Sequence, residues 1–306
     1  MSDAILVIKL GALGDFVQAL GPFQAIRRHH ESARLVLLTT EPFREVAEAS
    51  GWFDAVWIDG RPGPLRVDAN LALRRRLLSG GFKRVYDLQT SDRSGWYFHM
   101  LFGAQPEWSG IARGCSHPHD NPNRDAMHTM ERQAEQLAAA GIPAVPPPDL
   151  DWFDGDIAGF GLADRFALLV PGGAPHRPAK RWPPRRFAAL AADLAERGIQ
   201  PALLGAADDE AAVRGVMDGC PAAVSLIGRT SLLDLGGLAR RAALAVGNDT
   251  GPMHIAAAVG CRSVVLFSNE SDPALCAQRG PDVTILRRPS LADLPVAEVE
   301  AALRLS

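Results

Sequence analysis

Lysine is scarce in this chain: of 32 basic residues only Lys9, Lys83 and Lys180 carry an ammonium group, and the rest are arginine. Where any cation would serve, the protein uses Arg. Each Lys therefore marks a place where a compact point charge differs from a planar guanidinium. Cysteine is sparse as well. Cys115, Cys220, Cys261 and Cys276 are widely and irregularly spaced, without a Cys-x-x-Cys. That argues against a zinc ribbon or a disulfide scaffold and suits reduced thiols in a cytoplasmic protein. No apolar run reaches the ~18 residues of a membrane span, and a first strand starting near Ala4 leaves no room for a signal peptide. A net charge of −3 gives no global pull toward nucleic acid. Also missing are the Gly-x-Gly-x-x-Gly fingerprint of dinucleotide sites and the Gly-Lys-Ser/Thr of a P-loop. The first of these absences counts against an NAD-dependent oxidoreductase.

What is present fits two α/β domains. The 306 residues are 47% hydrophobic and 22% charged, enough for two ordinary cores. Residues 4–10 form an apolar run interrupted only by Lys9, the mark of a strand buried on both faces. Helical spacing follows over 15–29, with Phe16, Ala19, Leu20, Phe23 and Ile26 on one stripe. Strands at 34–39, 55–58 and 84–88 alternate with helices at 42–49, 69–78, 94–102 and 126–140, and 106–124 reads as a Gly-, Pro-, Asn- and His-rich loop. Four prolines between residues 142 and 149 make a stiff linker. The alternation then restarts: strands at 166–170, 200–204, 223–226, 242–246, 262–267 and 283–286, and helices at 184–197, 208–217, 232–239, 252–259 and 295–305. This implies two doubly wound, Rossmann-like parallel sheets, residues 1–148 and 149–306, facing across a cleft, with the last helix free to pack back on the first domain. Ligands of such sheets bind at the carboxyl ends of the strands.

Four loops after strands carry chemistry. The first, from Lys9 to Asp15, places Gly11 and Gly14 where the backbone turns sharply. Asp15 opens a helix, as an N-terminal capping acid or as a carboxylate aimed at a substrate as general base. The second, 171–183, holds Gly172 and Gly173 and then Lys180, a solvated basic loop or a cover for anionic oxygens. The third holds Asp249, Thr250, Gly251, Pro252 and His254. Its helix N-terminus can hold an anion, Asp249 can accept from sugar hydroxyls, and His254 either packs or reaches a phosphate. The fourth is Asp208-Asp209-Glu210. Acids at a helix start complement its dipole, and one of them can also hold a ribose diol. His117, His119 and Asp120 are too few for a metal centre. The runs Arg27–His30 and Arg74–Arg76 read as solvated faces or as a membrane-surface patch.

Taken together, ILVIKLGALGDFVQALGPFQAIR, PGG…AKRWPPRRFAAL and VGNDTGPMHIAAAVG resemble glycosyltransferase family 9, the ADP-heptose lipopolysaccharide heptosyltransferases and their relatives. The resemblance runs through nearly the whole chain in order. It implies the GT-B arrangement, an acceptor-side first domain and a nucleotide-sugar-binding second domain. It also implies inverting transfer of heptose from ADP-heptose to a lipopolysaccharide core or related glycan, without cofactor or metal, at the cytoplasmic face of the inner membrane with peripheral contact. On this resemblance Asp15 is the base, Lys180 stabilises the leaving diphosphate, Asp249, Thr250, Gly251 and His254 surround donor sugar and phosphates, and Asp209 or a neighbour lies near the ribose. The 106–124 loop departs from the pattern in having no lysine, although Arg113 and Arg124 are present. The alternative is another GT-B-like enzyme with a different nucleotide sugar, a hexosyltransferase or an epimerase.

Overall fold

Strand β1 (Ala4–Ile8, AILVI) is buried at every position after its first, because a strand between two parallel neighbours and under helices has no solvent face. In the computed structural model, which describes residues 3–174 and 176–305, it is the centre of the first of two sheets. The chain divides into Met1–Asp149 and Leu150–Ser306, so the division falls at the end of the proline-rich segment.

In the first unit β2 (Arg34–Thr39), β3 (Ala55–Ile58), β4 (Phe82–Asp87), β5 (Glu107–Gly110) and β6 (His117–Pro118) join β1 in the order β3-β2-β1-β4-β5-β6. Every pairing is parallel. Leu6, Ile8, Val36, Leu38, Val85, Tyr97 and Trp108 fill one of its cores. The second unit repeats the plan with β7 (Phe166–Val170), β8 (Gln200–Leu203), β9 (Val224–Ser225), β10 (Leu244–Asn248), β11 (Ser263–Phe267) and β12 (Val283–Arg287), ordered β12-β11-β10-β7-β8-β9. Counted within each unit, both sheets have the order 3-2-1-4-5-6 of doubly wound nucleotide folds. The order reverses direction between β1 and β4 and between β7 and β10, so these are the expected ligand positions.

Beyond shifts at helix ends, the structure departs from the sequence reading in two places. The helix expected over 15–29 is two, Leu13–Val17 and Leu20–His29. Pro22 explains the break: it has no N–H to continue the ladder, and its ring crowds the carbonyl four residues back. The expected loop 106–124 contains β5 and β6, strands of four and two residues that are too short for an alternation to show. Trp108 and Ser109 on β5 are fully buried.

The linker is not a free tether. A Cβ on Gly21 would stand 3.3 Å from Val145 Cγ1, and the Asp149 N–H donates to Gln24 Oε1 at 3.0 Å. The last helix, Val296–Leu303, buries Val299 and Leu303 in the core of the second unit.

Candidate active site

In the first unit, β1 leads directly into the turn that carries Asp15. Gly11 has φ +119°, a conformation L side chains rarely adopt, and a Cβ there would meet Phe43 Cε2 at 3.0 Å. The positive φ favours glycine, and the close approach of the Phe43 ring adds to that preference. Gly14 lies inside the short helix Leu13–Val17, and half-buried Asp15 is its third residue. One Asp15 oxygen accepts the Ala12 N–H at 3.3 Å. This is a long capping contact, so capping and a reactive role are compatible.

Beneath this turn the switch point is unusually polar. Lys9 is buried, and its Nζ donates to the Leu88 carbonyl at 3.0 Å. The Leu10 N–H donates to Gln89 Oε1 at 2.8 Å. Burial pushes the Lys9 ammonium down to about 8, opposed by the negative charges of Asp15 and Asp87. Asp87, at the end of β4, is fully buried, and burial pushes its carboxyl up to about 6 although the Gln89 and Thr90 N–H groups donate to Oδ1. Arg61 donates to the Leu10 carbonyl and borders a cavity of about 540 Å³ that Arg66 and Arg76 also line. An arginine-lined cavity suits an anionic group.

In the second unit the site is an ionic network. Lys180 Nζ pairs with Asp249 Oδ2 at 2.5 Å, and both side chains are largely withdrawn from solvent. Ser271 Oγ donates to the same oxygen at 2.8 Å, and Gln278 Nε2 to Oδ1 at 3.0 Å. Burial raises the Asp249 carboxyl, but Lys180, Ser271 and Gln278 outweigh it and hold it below the ordinary carboxylate range. Asn248, the last residue of β10, ties the loops together. Its Nδ2 donates to the Pro171 and Gly172 carbonyls at 2.9 and 3.0 Å, and its Oδ1 accepts the Trp182 N–H at 2.8 Å. It thus fastens the end of β10 to the Gly172–Gly173 turn and to the loop bearing Lys180.

Thr250 precedes the helix Gly251–Ala258 in extended conformation, and its side chain does not cap that helix. Thr250 Oγ1 turns back to the Asn248 carbonyl at 3.2 Å. The helix start, with its partial positive charge, is left beside the Lys180–Asp249 pair, an arrangement suited to phosphate oxygens. His254 is buried in the first turns of this helix.

Asp209, expected with its neighbours near a ribose, is anchored on backbone N–H groups. Its Oδ1 accepts the Gly173 N–H at 3.0 Å and its Oδ2 the Ala206 N–H at 3.1 Å. A Cβ on Gly172 would lie 2.2 Å from the Asp209 carboxyl carbon, so Gly172 exists to admit that carboxylate. Arg181 closes the turn by donating to the Gly173 carbonyl. Asp208 and Glu210 are exposed, Glu210 pairing with Arg214. Pro175, in the middle of this loop, lies outside the described residues.

The structure therefore gathers Gly172, Gly173, Lys180, Asp209, Asp249, Thr250, Gly251 and His254 around one switch point, and Gly11, Gly14 and Asp15 at the other. Asn248, Ser271, Gln278 and Asp87 carry no signal of these roles in the sequence. For Lys9 a signal was available in the rarity of lysine. His117 and His119 serve local structure: His119 Nε2 faces Glu135 at 3.2 Å, and His117 Nδ1 contacts Ser116 Oγ.

Two sheets of this order, with a lysine–carboxylate pair beside an uncapped helix start at a switch point, are an arrangement suited to an anionic ligand. Comparison with known proteins supplies the class. Residues 70–298 match the family model for glycosyltransferase family 9 (heptosyltransferase). Lipooligosaccharide heptosyltransferase 2 of Haemophilus ducreyi is 36% identical over 92% of this chain and 88% of its own length. Lipooligosaccharide heptosyltransferase 2 of Haemophilus influenzae is 35% identical over 41% of this chain, a match spanning only 38% of that relative. The structure of E. coli ADP-heptose lps heptosyltransferase II superposes with a TM-score of 0.77 at 22% identity, covering 99% of this chain and 98% of the other. The chain belongs to glycosyltransferase family 9 and is a glycosyltransferase with that family's two-domain α/β fold.

Proposed function

We propose that this enzyme transfers heptose from ADP-heptose, with inversion and without a metal, to a lipopolysaccharide core or related glycan acceptor. The observation that carries the reading is the Lys180–Asp249 pair beside the uncapped start of the helix Gly251–Ala258. An incoming diphosphate competes with Asp249 for the Lys180 ammonium. Asp249 keeps Ser271 and Gln278 as partners when Lys180 turns away, so it stays in place as an acceptor for hydroxyls of the donor sugar.

The chemistry follows from charge. Asp15 takes the proton of the acceptor hydroxyl, the freed oxygen attacks the anomeric carbon, and the bond from that carbon to the diphosphate breaks. Negative charge builds on the departing ADP, where Lys180 and the helix start meet it. These two positive elements take the part a divalent ion plays in other transferases. The cavity bordered by Arg61, Arg66 and Arg76 supports an anionic acceptor on the side of the first unit. A lipid-linked acceptor places the enzyme in peripheral contact with the cytoplasmic face of the inner membrane; among the described residues no helix is long and apolar enough to cross one.

Calorimetric titration with ADP, UDP, GDP and NAD in EDTA tests the donor class. Selective ADP binding is expected, followed by turnover of ADP-heptose that EDTA leaves intact. Selective UDP or GDP binding rejects the heptose donor while keeping a glycosyltransferase. NAD binding alone overturns the reading, and a strict need for added divalent metal overturns its mechanism.

A further inference from the structure

The exposed apolar side chains of this protein are unevenly placed. Among the described residues Leu65, Val67, Leu71, Trp96, Phe102 and Ile111 are the large exposed hydrophobics of the first unit, and Met217 alone represents the second. Three of the six lie within one short stretch: Leu65 is 94% exposed, Val67 62% and Leu71 46%. The helix Val67–Ser79 buries Asn70, Leu73 and Leu77 on its inner side. Val67 and Leu71 stand one turn apart on the outer side, and Arg74 and Arg75 continue the same stripe a turn further on. The fold does not use this second stripe, since the inner one already supplies the core contact.

The charges around it are predominantly positive. Residues 59–79 hold five arginines and two aspartates, in a chain whose net charge is −3. Of the two acids, Asp59 is buried and takes the Tyr97 hydroxyl and the Arg61 N–H, so its charge points inward. Asp68 meets Arg66 loosely, at 3.5 Å. The outer face thus combines protruding aliphatic side chains with an excess of arginine.

We propose that Leu65, Val67 and Leu71, with Arg74 and Arg75, form a docking face for an anionic lipid surface. Aliphatic side chains on the exposed stripe of a helix, rimmed by cations, match the requirements of an interfacial helix. The apolar tips enter the acyl boundary, and long cationic side chains reach up to phosphate headgroups. A second copy of the chain fits less well, because a two-fold interface would set the same arginines against one another. The inference deepens the reading above and rests on it only in the choice of a membrane as partner.

The test is flotation of the full chain, without donor or acceptor, with phosphatidylcholine vesicles and with vesicles in which roughly a quarter of the lipid is phosphatidylglycerol. The protein is expected to float with the anionic vesicles and to be released by high salt. A Leu65→Ser/Val67→Ser/Leu71→Ser variant and an Arg74→Gln/Arg75→Gln variant should each lose on the order of tenfold in partitioning. Both should keep the wild-type unfolding temperature and ADP affinity, since the replaced side chains lie outside core and site. Absence of wild-type flotation, unchanged flotation of either variant, or equal binding to pure phosphatidylcholine overturns the proposal. So does a concentration-dependent dimer in sedimentation that the triple variant abolishes, which would assign the face to a second copy. Because ADP binding is read separately, failure here leaves the transferase reading standing, and failure of that reading leaves vesicle binding intact.

Discussion

The two units have the same strand order and opposite treatments of charge at their switch points. In the second, lysine and carboxylate sit in direct contact, and every part of the pair is braced: Lys180 by Asp249, Asp249 by Ser271 and Gln278, and the loops by Asn248. In the first, the buried lysine rests on a backbone carbonyl, and the nearby Asp15 carboxylate makes only a 3.3 Å contact with its own turn. A sheet order therefore provides a place for ligands and leaves the chemistry to the loops. A braced ionic network suits holding and neutralising a diphosphate. A loosely held, half-exposed carboxylate suits meeting a hydroxyl that arrives from solution.

The contrast can be broken first at its loosest point. Asp15→Ala is expected to lower kcat by ~10²–10⁴-fold while calorimetric affinity for ADP stays at the wild-type value; full turnover in the variant would remove Asp15 from the role of base. Next comes Lys180→Ala. It should cost roughly 10²-fold or more in kcat, and Lys180→Arg should recover only part of it, because a planar fork does not reproduce a point charge. Equal rates for Lys180→Arg and wild type would show that any cation serves.

Two further predictions read stability. Asp87 is buried with a carboxyl near 6 against an ordinary value near 3.8. Above pH 6 it is ionised both folded and unfolded, and the folded state carries the full cost of burying the charge. As pH falls from 6 toward 4 the folded state takes up the proton first, so this contribution to stability rises by up to roughly 3 kcal/mol. Urea unfolding of Asp87→Asn against wild type across that window should show a gap that shifts toward the wild type as pH drops; a constant gap would mean that Asp87 titrates normally. The smallest effect is expected for Asn248→Ala, which leaves the Pro171 and Gly172 carbonyls and the Trp182 N–H without their partner. A loss of roughly 2 kcal/mol is expected, with a rise in KM for the donor as the loop bearing Lys180 loosens. Unchanged stability and KM would show that the loops hold without this link.

The sequence made much of this legible, for reasons visible in particular residues. The apolar run of β1 and the runs at 166–170 and 263–267 declare buried parallel strands, and the prolines at 143–148 mark where one unit ends. The glycine turns and the helix-opening loops follow from local backbone needs. What stayed hidden depended on distance along the chain. Ser271 and Gln278 lie 22 and 29 residues beyond the Asp249 they brace, and no spacing rule joins them. The break at Pro22 was local and could have been read; strands as short as β5 and β6 could not.

By itself, then, the sequence determined the two sheets, their polarity, and the strand ends where the reactive loops lie, because alternation and apolar runs act over neighbouring residues. Only the tertiary structure decided the partners. It turned Asp209 toward Gly173, joined Lys180 to Asp249, and buried Lys9 and Asp87 in the first unit. The physical reason is that hydrogen bonds and ion pairs form across space, between segments that the packing of the sheets brings together and that the order of residues does not.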